Sequence, residues 1–415
     1  MKPWTEQSHF AGLDWAKDHH QLVIVDRQGQ TAEQFVIDHT QEGWAKAAER
    51  LKHYPGLAVS VETNHGLAVD QLLDAGAVVF PVNPQSAHHY RQRKAPTGIK
   101  DDHLDAWSLA DALRVDGHGW KPIQPANPLV QKLRLLCRDE VALIEVRTAL
   151  INQLQAALLR YYPAALEAFD DWTMPAAWAF ITAFPTPEQL AQAGRTKWLK
   201  FLHLHKLYRP QTVERRLALF ARAAAFQGRP EVVAASQQLA VSLAALLRTL
   251  HAQLKTYRHQ IRDVFAQHPD QALFASLPGL GDKLAPRVLA EVGDDRARFA
   301  EPQALQCYAG SAPVTFASGQ MRKVHIRRAC NTSLRSAIHL WANLSRAKCA
   351  WAQAYYQAHR DRGQSHACAL RCLAQRWLAI LWRMWQDHTL YDPELHLRNQ
   401  LQHGSWVLKL IEKTT

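Results

Sequence analysis

Residues 10–38 carry three short strand signals in succession, with polar turns and no helix between them. Residues 10–15, 21–26 and 31–38 each fit a strand, and Arg27-Gln28-Gly29-Gln30 fits a hairpin turn. Strands joined this closely pair antiparallel as a meander. The rhythm then changes to a helix at 43–53, an apolar strand at 57–62, a helix at 66–75, a strand at 77–82 and a helix at 101–114. The later strands need helical crossovers, so the expectation is a mixed sheet covered by helices.

Beyond this α/β domain, placed at residues 1–125, the pattern is helical. Residues 137–162 and 232–265 hold apolar positions near helical spacing over several turns. They read either as two amphipathic helices packing on each other or as a coiled-coil arm for dimerisation or RNA binding. Residues 163–187 and 209–230 carry helix breakers and look like a smaller insert. A helical middle at 126–270 is therefore expected, then an α-helical C-terminal domain at 271–415. Near the start of the latter, Pro278-Gly279-Leu280-Gly281 precedes a helix at 282–292. That is the hairpin of helix–hairpin–helix modules, which makes Gly279 and Gly281 candidate phosphate contacts.

A formal charge of +12 on 415 residues points to a polyanionic partner, nucleic acid above all. The charge is concentrated. Residues 302–360 contain no acid but hold Arg322, Lys323, Arg327, Arg328, Arg335, Arg346, Lys348 and Arg360. Such a one-sided stretch suits phosphates. The six cysteines form no CxxC pair, so reduced structural thiols are expected rather than a zinc site. The first residues lack an apolar signal core, and no uninterrupted apolar run is expected to span a bilayer. A cytoplasmic protein is the reading.

Two constellations carry chemistry. Asp14 ends the first strand, Glu62 ends the fourth, and Asp102 and Asp105 lie three apart on the last helix of the α/β domain. Clustered carboxylates repel unless cations neutralise them. Two Mg²⁺ (or Mn²⁺) ions would do that while stabilising the attacking and leaving oxygens of a phosphodiester. One acid on the first strand, one ending the fourth and two on the last helix, within this element order, is the pattern of an RNase H-like (RuvC-like) nuclease domain. The second constellation is Ser318-Gly319, followed by Arg322 and Lys323. A serine needs a base or nearby positive charge to act as a nucleophile, and His325 is one candidate base. On residue chemistry alone, Ser-Gly is also an ordinary turn.

Together these segments resemble one family, the transposases of the IS110 insertion-sequence group, DEDD recombinases guided by a bridge RNA. The likeness is carried by GLDWAKDHHQLVIVD at 12–26, by VETNH followed by KDDHLDAWSLADAL, and by LPGLGDKLAPRVLAEVGD through CYAGSAPVTFASGQMRKVHIRRACNTSLRSAIHLWA. The family's Lys-Thr-Asp-x-x-Asp-Ala signature falls on Lys100 to Ala106, with Asp101 where threonine is usual. Spacing then assigns the metal ligands to Asp102 and Asp105. The family's nucleophilic serine falls on Ser318. The resemblance implies carboxylates and Mg²⁺ from one subunit meeting the serine of another, and a phosphoserine-linked DNA intermediate. It also implies a dimer or tetramer and a guide RNA bound beside donor and target DNA. Lys100, Arg322, Lys323, Arg327, Arg328 and Arg335 are the candidate nucleic-acid contacts. The alternatives are a RuvC-like junction resolvase using water as nucleophile, and a non-enzymatic binder of DNA or RNA.

Overall fold

In the computed structural model, which describes residues 4–64, 66–94, 101–124, 127–226 and 228–408, the first unit is built on one five-stranded sheet. Strands β1 (His9–Asp14), β2 (His19–Asp26) and β3 (Thr31–Asp38) form the expected antiparallel meander. Strand β4 (Ala58–Val61) pairs parallel with β1, and β5 (Val78–Pro81) pairs parallel with β4. The order is β3-β2-β1-β4-β5. This mixed sheet, followed by a mostly helical body, is compatible with an RNase H-like fold.

Helices α1 (Gln41–Leu51) and α2 (Leu67–Asp74) cover one face. Trp44, Ala47, Leu51, Ala68, Val69 and Leu72 pack there with Ala11, Leu13, Val59 and Val61 of the sheet. Helix α4 (Asp102–Asp116) covers the other face, where Ala106, Ala110 and Leu113 join Phe10 and Ala58. Alternation along each strand therefore sends even residues of β1 and β4 toward α4 and odd ones toward α1 and α2. An additional helix, α3 (Pro84–Lys94), lies between β5 and α4. The sequence reading missed it because His88, His89, Arg91, Arg93 and Lys94 leave it with almost no apolar stripe; Ala87 is its one buried residue.

The second compact unit spans residues 126–415, and contacts do not divide it again near residue 270. It opens with α5 (Pro128–Tyr161), capped by Asn127, whose Oδ1 accepts the Leu129 N–H at 2.9 Å. Helices α6 (Pro163–Leu166), α7 (Pro175–Ala183), α8 (Pro187–Leu204) and α9 (Val213–Ala224) form the insert, and α10 (Pro230–Ala266) returns. The two long helices run antiparallel. Ile151, Leu154 and Leu158 of α5 share a core with Ala240, Leu243 and Leu247 of α10 and with Trp178, Phe180 and Phe220 of the insert. At the other end, Leu133 and Cys137 share a core with Ile261, Val264 and Phe265.

That second core is completed by α11 (Gln271–Ser276), α12 (Gly281–Val292), α13 (Pro302–Tyr308), α14 (Thr332–Ser345), α15 (Ala350–Asp361) and α16 (His366–Asp387), with α17 (Pro393–Gln402) following. Buried Glu140 of α5 accepts from Arg258 of α10 at 2.9 Å and from Arg287 of α12 at 2.8 Å, pinning the three helices together. Burial pushes its carboxyl up, but the two guanidinium hydrogen bonds prevail and hold it below the usual carboxylate range.

One expectation needs correction. The C-terminal region is not purely helical, because β6 (Val314–Ser318) and β7 (Met321–His325) form a two-stranded hairpin. The hairpin escaped a helix-oriented reading because it is short, basic and almost fully exposed. In addition, α10 is long and apolar enough, by length and composition only, to cross a membrane. Only 22% of its apolar stretch is buried; along the helix Ala240, Leu243 and Leu247 lie in the core and Val232, Leu239 and Leu246 are exposed.

Candidate active site

The backbone gathers the acids at one end of the sheet. Gly12 faces α4 so closely that a Cβ there would stand 2.0 Å from the Ala106 carbonyl oxygen and 2.6 Å from the Ala110 nitrogen. Only glycine allows this approach. The register pairs Gly12 with Ser60 and Leu13 with Val61. The next positions in that register are Asp14 and Glu62, and both fall on the α4 face. From the Gly12–Ala106 contact, two strand residues onward reach Asp14 and four helix residues back reach Asp102, about 6 Å in either case.

Local chemistry fixes the start of α4. Asp101 is its N-cap, with Oδ1 accepting the His103 N–H at 3.4 Å. Aspartate and threonine are both favoured at this position. The departure from the family signature is therefore conservative in role, and Asp102 and Asp105 begin the helix. Lys100 lies outside the described residues.

The side chains are only partly assembled. Asp105 is gripped by Arg91 of α3, whose Nη1 donates to both carboxylate oxygens at 3.1 and 3.0 Å. Arg91 Nη2 also lies 2.9 Å from His88 Nδ1. Burial and the neighbouring Asp105 charge push the Glu62 carboxyl above its ordinary range, against the opposing pull of Arg91. Asp102 is exposed. Among the described residues, no three Asp, Glu, His or Cys side chains come close enough to hold one metal ion. The donor chemistry nonetheless suits a divalent cation: two carboxylates coupled unfavourably, with a third at the next register position. In this structure the positive charge beside them is Arg91, a residue the sequence reading missed.

A second arrangement lies behind Asp14. His20 is fully buried and accepts the Ala16 N–H on Nδ1 at 3.3 Å. With Nδ1 an acceptor, Nε2 carries the proton, and it lies 2.8 Å from His39 Nδ1. Burial first, then His39 and His19, lower His20 to a pKa of about 4. The pair thus braces the backbone that leaves Asp14.

In the second unit, Ser318 ends β6 and pairs with Met321 across a two-residue loop. Gly319 takes φ 56° there, the arrangement of a II′ hairpin turn. Residues directly opposite share a face, so Ser318 lies with Phe316, Met321, Lys323 and His325, while Arg322 and Ala317 occupy the other face. His325 pairs with Val314, four residues from the tip. That is about 13 Å along the strand from Ser318, so His325 is out of reach as its base. The Ser318 hydroxyl is exposed and makes no hydrogen bond among the described residues.

The base of the hairpin is firmly held. Asn331 N–H donates to the Tyr308 carbonyl at 2.8 Å. Asn331 Nδ2 donates to Glu291 and to the Tyr308 hydroxyl at 2.7 Å each. Ser311 is buried, its hydroxyl donating to the Gln306 carbonyl at 3.3 Å, which suits a packing role. Arg322, Lys323 and Arg328 are exposed, whereas Arg327 has a buried Nε without a partner and Arg335 packs its stem toward Gly310.

The two glycines before α12 differ. A Cβ on Gly279 would lie 2.7 Å from the Ser345 nitrogen, so its glycine is accounted for by packing against α14. Gly281, at φ 53°, faces open space at the helix start.

A family model described as "Transposase" matches residues 11–163, and one described as "Transposase IS116/IS110/IS902 family" matches residues 271–357. The IS117 mini-circle protein of Streptomyces coelicolor is 34% identical over 400 residues, spanning 93% of this chain and 95% of that relative. The chain belongs to the IS110 transposase family. Other relatives are the 42 kDa protein of insertion element IS900 from Mycobacterium paratuberculosis and the 44.8 kDa protein of IS116 from Streptomyces clavuligerus. Each is 28% identical, over 93% and 92% of this chain and 98% and 96% of the relative, respectively.

The protein is thus a transposase of an insertion sequence, an enzyme of DNA transposition and recombination. The matched ranges contain Asp14, Glu62, Asp102 and Asp105 in one case and Ser318 in the other. The transposase keeps the two sets in separate units of the fold.

Proposed function

We propose that this transposase cuts and rejoins DNA through a phosphoserine intermediate on Ser318, with Asp14, Glu62, Asp102 and Asp105 as the ligands of Mg²⁺ or Mn²⁺. The observation that carries the serine half is its place at the exposed tip of a hairpin anchored only at its base. In the step itself the Ser318 Oγ–P bond forms and one P–O bond of the DNA backbone breaks. The departing strand end keeps that oxygen and takes up a proton, and the serine proton passes to a base. No base lies within reach on the hairpin, which supports a carboxylate from another subunit. Lys323, on the Ser318 face, is suited to balance the charge that builds on phosphorus. When bound, the metal supplies Lewis-acid stabilisation of the phosphoryl oxygens. The chain's own part is to aim Asp14 and Glu62 from one end of the sheet and Asp102 and Asp105 from the helix start.

An exposed basic hairpin is also suited to DNA, since a two-stranded ribbon fits the major groove. Arg322, Lys323, Arg328 and Gly281 are the readiest phosphate contacts, with Arg327 and Arg335 at the hairpin base. The α5–α10 pair serves as a coiled-coil arm. Val232, Leu239 and Leu246 recur every seven residues on the exposed side of α10, a seam suited to a second copy. The working enzyme on this reading is a homo-oligomer, dimer or tetramer. It acts on donor and target DNA in the bacterial cytoplasm under a bridge RNA. Covalent capture of labelled DNA under denaturing conditions tests the serine chemistry. RNase treatment tests the guide: unchanged recombination after complete RNA removal would leave a protein-only recombinase.

A further inference from the structure

We propose that Arg91 is a positioning residue that holds Asp105 in place of a divalent cation and must swing aside for the cation to bind. The inference rests on the carboxylate-site reading above. Arg91 places one terminal nitrogen 3.1 and 3.0 Å from the two oxygens of Asp105, itself largely buried. Its other terminal nitrogen is held by His88 Nδ1 at 2.9 Å, so the guanidinium is aimed rather than loosely paired. It acts on Glu62 as well as on Asp105, and therefore sits where charge compensation is needed. A guanidinium supplies one positive charge and hydrogen bonds but cannot coordinate. A divalent cation would need the same Asp105 oxygens, so the two occupants exclude each other.

Helix α3 does not depend on this contact. The Tyr90 hydroxyl donates to Asp116 at 2.9 Å, and Lys94 lies 3.5 Å from Asp111 and 4.4 Å from the centre of the Trp107 ring. Arg93 adds a weaker contact to Asp111 at 3.9 Å. These tie α3 to α4 from other positions, so the Arg91 side chain can leave without the helix leaving. The acids are thereby kept compensated and folded before the cation arrives, and cation affinity is lowered by the competing guanidinium.

The test is Mn²⁺ binding to the full chain without nucleic acid, read from the electron paramagnetic resonance signal of free Mn²⁺. Arg91→Gln should bind Mn²⁺ at least about tenfold tighter than wild type, because one competing charge next to the ligand is gone. Arg91→Lys keeps the charge but loses the two-oxygen grip, and should fall between the two. It also serves if Arg91→Gln folds poorly. Asp105→Asn should weaken binding. Equal or weaker Mn²⁺ binding by both Arg91 variants, with Asp105→Asn still impaired, would overturn the role of Arg91 alone. No binding to any form, or binding untouched by Asp105→Asn, would overturn the metal-site reading and the inference with it.

Discussion

Gly12 on β1 and Ala106 on α4 lie so close that a single methyl group on Gly12 would stand 2.0 Å from the Ala106 carbonyl oxygen. This approach sets the level at which the start of α4 meets the end of β1. It makes Gly12→Ala a test of the framework. The added carbon meets backbone, which cannot rotate away, so a loss of about 3–5 kcal/mol of stability is expected. Urea unfolding of the full chain measures it. A change of less than about 1 kcal/mol would mean that α4 shifts freely.

Neutralising the acids should not have uniform effects. The sequence alone suggests that removing any one carboxylate relieves repulsion and stabilises the metal-free protein. For Asp105 the structure reverses this, because Asp105→Asn strands the half-buried Arg91. Glu62 keeps the original sign. Its pKa is raised in the folded state, so its ionised form costs stability, and that cost appears as pH rises through its folded pKa. Glu62→Gln should therefore melt above wild type at neutral pH without metal, and Asp105→Asn below it. The reverse order in thermal melts would contradict the Arg91 pairing.

His20 predicts a dependence on acid. Its folded pKa of about 4 lies below the ordinary 6.5, so the unfolded chain binds the extra proton between those values. Stability from this residue is present above pH 6.5 and is lost as pH falls toward 4, by on the order of 1–3 kcal/mol. His20→Gln should flatten that part of the pH–stability curve. An unchanged slope would place the titration elsewhere.

Much of the α/β unit was legible in the sequence because its strands are short, apolar and punctuated by polar turns. The strand at residues 57–62 could be read as buried from LAVSVE alone, and β4 lies within it. What escaped detection depends on tertiary partners. Helix α3 has no apolar stripe, and its role emerges only when Arg91 meets Asp105 and Tyr90 meets Asp116. The β6–β7 hairpin hides in a basic stretch with little strand character, and its geometry is what removes His325 as a base for Ser318. Gly279 and Gly281 look alike in sequence, yet one is closed by Ser345 and the other is open.

That difference between the glycines separates packing from nucleic-acid contact. Gly279→Ala should destabilise the protein by about 2–4 kcal/mol. Gly281→Ala should cost only about 1 kcal/mol for its left-handed backbone and weaken DNA binding. Arg322→Ala and Lys323→Ala should each lower the slope of log affinity against log salt by about one. Urea unfolding reads the two stability losses, and fluorescence anisotropy with labelled duplex across a salt series reads the binding effects. A salt slope unmoved by either cation would remove the hairpin from the DNA interface.

The central claim is that Ser318 becomes joined to DNA with the help of the carboxylate site. The direct measurement is denaturing gel electrophoresis of full-length protein incubated with labelled target DNA and Mg²⁺, with RNA from the element present. Wild type should give a shifted, protease-sensitive band. The band should be absent with Ser318→Ala and with Asp105→Asn, and should persist with Ser311→Ala, whose hydroxyl only packs against Gln306. An adduct that survives Ser318→Ala would contradict the assignment, and metal-dependent cleavage with no adduct in any form would show that water is the nucleophile.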